Sequence, residues 1–253
     1  MDLFPLANSL GVAAASTVVV FLLGIALANV VSRAPRVVRG LADVVLTLPL
    51  VLPPTVVGFL LLMLLGPRRP LGAWALSALG VRLTMVWYAA VFATVVVSFP
   101  LMYRTARGAF ESFDQTLADA ARTLGHSNAW VFWRVKMPCC RQGIVAGAVL
   151  AFARALGEYG ATSMVCGYMP GSTATVSTTV YQLWRTGDNA GALAWVLVNL
   201  AISCVVLVAL NVVQARTTGG RGAASFSPAR GAAGVGVVGT GVAEAAVAGG
   251  GAR

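Results

Sequence analysis

Charge is scarce in this sequence: Asp, Glu, Lys and Arg make up 10% of its 253 residues, and the acidic ones number eight. Soluble globular domains carry about 25% charged residues. A chain this poor in charge cannot cover a water-facing surface, so the bilayer is its natural solvent. Histidine occurs once, as His126, and no H-E-x-x-H or G-x-S-x-G segment is present. That removes the metal clusters and nucleophile–base pairs that an intramembrane enzyme would need, and His126 reads as a solvated loop residue. The four cysteines, Cys139, Cys140, Cys166 and Cys204, lack zinc-type spacing. They read as small polarizable packing residues, with no disulfide framework. The first five residues hold no basic group, so the first apolar segment is expected to be a retained span rather than a cleaved signal.

What the sequence has in quantity is apolar length. Hydrophobic residues make up 58% of the chain and the mean hydropathy is +0.83. About 20 apolar residues in a helix cross a hydrocarbon core roughly 30 Å thick. Five such stretches are expected, over residues 10–31, 44–65, 85–102, 144–166 and 190–213. The second is interrupted by Pro49, Pro53 and Pro54, and the fourth carries Arg154 and Glu158. The net charge of +10 would suggest nucleic acid in a soluble protein, but membrane proteins gather basic residues in cytoplasmic loops, and no nucleic-acid partner is expected. Placing the N-terminus outside puts ten basic residues on the cytoplasmic side against four opposite, so the C-terminus is expected inside. Residues 1–216 form the expected membrane domain. Residues 217–253, mostly Gly, Ala, Ser and Val, are expected to be a disordered cytoplasmic tail.

Residues 104–143 form the one long polar segment between spans, and they have internal order. Leu117, Ala120, Ala121 and Leu124 share a helical face, and Gly125 stands where a C-terminal cap belongs. Ser127 or Asn128 can cap a second helix holding Trp130, Val131, Phe132 and Trp133, which Pro138 is expected to stop. Small side chains would let the first helix seat deeply in a partner's groove. An interfacial helix pair lying on lipid headgroups would show the same composition.

The spacing separates these readings. Asp119-Ala120-Ala121, then Gly125, then Val135-Lys136-Met137-Pro138 resembles the coupling motif of ABC importer permeases, E-A-A, three residues, G, nine residues, I-x-L-P. Asp replaces Glu, Val replaces Ile and Met replaces Leu. The segment LPLVLPPTVVG at residues 48–58 and the segment AFARALGEYGAT at residues 151–162 resemble the second and fourth spans of the molybdate permease branch. Met169-Pro170-Gly171-Ser172-Thr173-Ala174-Thr175, with Tyr181 beyond, resembles its outer loop. The similarity covers residues 8–214.

The resemblance implies an all-α membrane protein of the type I ABC importer permease kind, with about five transmembrane helices and a cytoplasmic coupling-helix loop. It implies a homodimer in a bacterial cell membrane, two copies of a cytosolic ABC ATPase and an extracytoplasmic oxyanion-binding protein. Molybdate is the implied cargo, with tungstate or sulfate as alternatives, and a non-transporting scaffold or sensor is the rival of another class. No Walker-type G-x-x-x-x-G-K-S/T segment is present, so no cofactor is expected on this chain, and ATP and magnesium are expected on the ATPase.

The residues expected to dock the ATPase are Asp119, Ala120, Ala121, Leu124, Gly125 and Pro138. Those expected at the translocation path or gate are Arg154, Glu158, Tyr159, Pro53 and Pro54. Charges within a membrane helix are by default functional. Arg154 could offset the charge of a passing dianion while Glu158 prevents its retention, or the two could form a structural ion pair on one helix face. The prolines break helical hydrogen bonding, so that span is expected to kink or unwind, as a pore-lining bend or as a packing kink. Gly157 and Gly160 read as points of close helix approach.

Overall fold

A computed structural model describes residues 2–218, and no strand occurs among them. Twelve α-helices follow in order among them: α1 (Phe4–Ser32), α2 (Arg36–Val51), α3 (Pro54–Leu65), α4 (Pro70–Leu79), α5 (Trp87–Glu111), α6 (Gln115–Thr123), α7 (Asn128–Val131), α8 (Met137–Cys139), α9 (Arg141–Leu156), α10 (Gly160–Cys166), α11 (Val176–Arg185) and α12 (Asn189–Thr218). The expected tail lies outside the described residues, except that Thr217 and Thr218 belong to α12.

Three helices are long and apolar enough to cross a membrane, α1, α5 and α12 over Asn189–Ala209, and counting each of two bent pairs as one span brings the number to five. Charge-free α1 exposes Val18, Leu22 and Val30 but buries Ser16, Val20, Gly24 and Ala28. That four-residue spacing of mainly small side chains makes one ridge. It packs on α5, where a Cβ at Gly24 would come within 2.7 Å of Met102 Cγ. The core around this contact gathers Met102, Tyr103, Ala106 and Phe110 of α5 with Val131 and Ile144 from beyond the loop.

The second expected span is not one rod. Leu52 and Pro53 are extended, with ψ of 141° and 136°, because each precedes a proline whose ring disfavours the helical region. The helices on either side meet at 109°. At 1.5 Å per residue, the 12-residue α3 is only about 18 Å long. α4 was not foreseen; it fills the connection after Arg68 and Arg69 and ends at Gly80, whose φ is +66°.

The third span outruns its expected end. Pro100 lies inside α5, and the helix continues past Arg104, so the polar segment opens as two more helical turns. Those turns are tied to α2: Tyr103 Oη donates to Asp43 at 2.6 Å, Arg107 pairs with Asp43 and with Glu111 at 3.0 Å, and Arg39 reaches Glu111 at 3.5 Å.

Candidate functional site

The expected docking segment is a short helix closed at both ends by its own sequence. Asp114 caps α6 by accepting from the Thr116 N–H at 2.9 Å and the Thr116 hydroxyl at 2.8 Å. These bonds favour its ionised form and lower its carboxyl pKa from the ordinary value. At the other end Gly125 takes φ +85°. Its N–H donates to Arg122 O at 2.9 Å, and the His126 N–H donates to Ala121 O at 3.3 Å, the bond pair of a Schellman turn. Ser127, not Asn128, caps α7, accepting from the Trp130 N–H at 3.3 Å. Arg122 pairs with Asp119 at 2.5 Å and reaches Asn128 Oδ1 at 3.0 Å. His126 is exposed as expected, yet its ring stacks on Trp130 with centroids 3.7 Å apart.

The expected docking face divides in two. Leu117, Asp119, Ala120, Leu124 and Gly125 are exposed, Leu124 at 78%. Ala121 is buried beside Ala118, in the core that also holds Phe113 and Val131. Ala121 therefore seats the helix on its own protein, while Leu117, Ala120 and Leu124 face outward. The amphipathic turn of α6 explains this, since position 121 shares its face with 118. Exposed Trp130 and Trp133, the latter at 63%, lie in the same loop.

Pro138 does not stop the following helix. Residues Phe132–Lys136 form a π-helical stretch in which the Met137 N–H donates to Phe132 O, five residues back. Pro138, lacking an N–H, then sits within the first two positions of α8. The break falls two residues later, at Cys140, and the chain turns by 74° into α9.

The fourth expected span is also broken. α9 ends at Leu156, residues 157–159 are not helical, and α10 begins at Gly160. Glu158, 4% exposed, lies in this break and does not continue the helical face of Arg154. One carboxylate oxygen accepts from the Ala161 N–H at 2.7 Å. The other makes no directed hydrogen bond and has Arg154 Nη1 at 2.6 Å. The carboxylate therefore joins the two halves of the span, and Arg154 is held by it rather than presented as a free cation.

This break packs on the proline break. A Cβ at Gly160 would come within 2.9 Å of Pro54 Cβ, and one at Gly58 within 2.7 Å of Ala161 Cα. Pro53 is exposed and Pro54 half-buried. Beside them the rings of Tyr159 and Tyr181 lie 5.4 Å apart. A cleft of about 260 Å³ opens there, lined also by Ser163, Tyr168, Thr178, Gln182 and Arg185. Sequence reasoning found Tyr159 and Tyr181 but missed the hydroxyl and amide wall. A readable signal was Thr175-x-x-Thr178, which forms a capping box and starts α11.

The family described as binding-protein-dependent transport system inner membrane component matches residues 20–219. The chain belongs to this family. Its relatives include the molybdenum transport system permease protein ModB of Escherichia coli strain K12, 43% identical over 171 residues, covering 67% of this chain and 75% of that protein. The putative molybdenum transport system permease protein YvgM of Bacillus subtilis is 38% identical over 203 residues, with 80% and 89% covered. Among solved structures, a bacterial ABC transporter importing the acidic polysaccharide alginate aligns with TM-score 0.69 at 20% identity, covering 85% of this chain and 79% of that one. The MetNI methionine ABC transporter aligns with TM-score 0.63 at 14% identity, covering 84% and 94%. These two establish the fold. The relatives named for molybdenum transport bear out the resemblance to the molybdate permease branch, and the chain is a transport permease of the inner membrane.

Proposed function

We propose that this permease is the membrane subunit of an ATP-driven importer that carries molybdate into the cytoplasm. The observation that carries the coupling half of this reading is the two-sided α6. Its inward face is fixed by the buried Ala118 and Ala121, and Leu117, Ala120 and Leu124 are exposed. A short rigid helix held on both caps transmits force as a body. Closure of a separate ATPase dimer on binding ATP would push it and swing the spans, a rigid-body two-state change. The working unit is a homodimer of this chain with two ATPases and an extracytoplasmic oxyanion-binding protein, oriented with the N-terminus outside. The ten-to-four division of basic residues supports that orientation.

The cargo reading rests on relatives whose names specify molybdenum transport. The cleft by Tyr159 suits a dianion in transit, since hydroxyl and amide groups offer neutral donors and Arg185 one cation. Neutral donors hold an oxyanion without trapping it. Arg154, bound by Glu158, adds no free charge there.

Uptake tests the reading. Vesicles holding the assembled transporter should accumulate labelled molybdate only with ATP inside the ATPase compartment, with tungstate competing and sulfate competing weakly. Sulfate uptake unaffected by molybdate would reject the cargo, and failure of the chain to copurify with any ATPase would reject the coupling.

A further inference from the structure

Seven of the eight acidic residues lie among the described residues, and each is engaged. Asp43 and Glu111 hold Arg39 and Arg107, Asp119 holds Arg122 and Glu158 holds Arg154. Asp2, Asp114 and Asp188 accept from backbone N–H groups at the starts of α1, α6 and α12.

Lys136, the only lysine in the chain, is 6% exposed and has none of them. Its Nζ donates to Asn29 Oδ1 at 3.1 Å and lies 4.3 Å from the centre of the Phe110 ring. An ammonium has three N–H donors, so one amide and one ring face leave it under-satisfied. Burial, and then the neighbouring Arg33, lower its pKa from the ordinary value. Arg33, at the end of α1, pairs with no carboxylate among the described residues. A buried charge without a counter-charge is costly, and the exposed Arg33 beside Lys136 adds like-charge repulsion.

Arg33 and Lys136 line one cavity of about 180 Å³, together with Arg122, Gln115 and Asn128. One water needs only about 10–15 Å³ of such space, so a small polyatomic anion has room. No carboxylate lines the cavity. Ala118 and Val131, both buried, form its inner wall, so it lies behind the outward face that bears Leu124.

We propose that this cavity binds a tetrahedral oxyanion group, supplied either by the phosphate of a lipid headgroup or by a free inorganic anion. Such a group would take the remaining N–H donors of Lys136 and the unpaired fork of Arg33. The amides of Gln115 and Asn128 supply neutral donors. Bound there, it would pin the end of α1 to the loop helices.

Thermal unfolding of the full chain in phosphate-free dodecyl maltoside, followed by tryptophan fluorescence, tests this. In one arm inorganic phosphate is titrated against chloride at matched ionic strength. In the other, phosphatidylglycerol is added to the micelles with phosphatidylcholine as comparator. At least one arm should raise the midpoint saturably. A response to phosphate identifies a soluble oxyanion, and a response to phosphatidylglycerol alone identifies a headgroup. Arg33→Gln, at an exposed position, should raise the half-saturating concentration tenfold or more. Lys136→Met should unfold at a higher midpoint than wild type without anion and lose the response. No response in either arm, or an equal response in wild type and both variants, overturns the proposal. So does a Lys136-dependent stabilisation that appears only with the ATPase, which would assign the cavity to an acidic side chain of that partner.

Discussion

Leu124 and Ala121 sit three residues apart in the loop but differ in burial, Leu124 exposed and Ala121 buried, and substitutions should separate what each does. Leu124→Arg adds charge to a side chain that is 78% exposed. It should leave the unfolding midpoint within about a degree of wild type while abolishing ATPase copurification. Ala121→Leu overpacks a buried site, at a cost of about 1–3 kcal/mol, so it should lower the midpoint before it affects docking. Gly125 fails for a third reason. A Cβ there would meet nothing within 4 Å, so only its φ of +85° matters. Gly125→Ala should cost about 1–2 kcal/mol and loosen the Schellman turn, whereas Gly125→Asn should lose less. Asp114 adds a pH dependence. Its pKa is lowered, so its cap is present above the ordinary carboxylate range and lost as pH falls through the depressed value. Asp114→Asn, which keeps a capping oxygen, should flatten that acid-side loss of loop protection in hydrogen exchange.

Two elements that reasoning from sequence treated as single spans are each two helices, and their breaks support one another. The prolines made the first break legible, because Leu52 and Pro53 each precede a proline. The second was not legible. Residues 144–166 are apolar and glycine-rich, and nothing local says that Glu158 will leave the helix to cap α10 rather than complete a face with Arg154. That outcome depends on Gly160 lying against Pro54, a contact more than 100 positions away in sequence. Burial of Ala121 escaped for the same reason, since the face that α6 turns inward is decided by Phe113 and Val131. The breaks should therefore fail together. Gly58→Ala puts a Cβ 2.7 Å from Ala161 Cα, backbone that cannot swing aside, so α3 and α10 must separate. The expected cost is about 1–3 kcal/mol, read as a lower unfolding midpoint with faster hydrogen exchange across residues 157–163. Glu158→Ala should show the same exchange signature, because it removes the cap and strands Arg154. Glu158→Gln keeps an acceptor for the Ala161 N–H and should retain part of the protection. If Glu158→Gln stops uptake while the exchange pattern stays intact, the carboxylate acts on the cargo as well as on the fold.

For the molecule as a whole, coupling requires that the loop and the cleft face opposite compartments. Otherwise an ATPase on the loop could not drive cargo from the side where the binding protein delivers it. The basic residues set the expected sides, with Arg104, Arg107, Arg122, Arg134, Lys136 and Arg141 inward and Arg68, Arg69, Arg82 and Arg185 outward. Arg185 lines the cleft and Leu124 marks the loop, so single cysteines can report on both. Leu124→Cys and Ser172→Cys are both exposed positions. Of the native cysteines, only Cys204 is exposed, and it lies on the stretch of α12 long and apolar enough to cross a membrane, so background labelling by a polar reagent should be low. A membrane-impermeant maleimide should label Ser172→Cys in right-side-out vesicles and Leu124→Cys only in inverted ones. The reverse pattern would put the cleft inside, and the chain would then be arranged for export, against the proposed function. Labelling of both from one side would remove alternating access altogether, because no rigid-body swing can couple a dock and a cargo cleft that share a compartment.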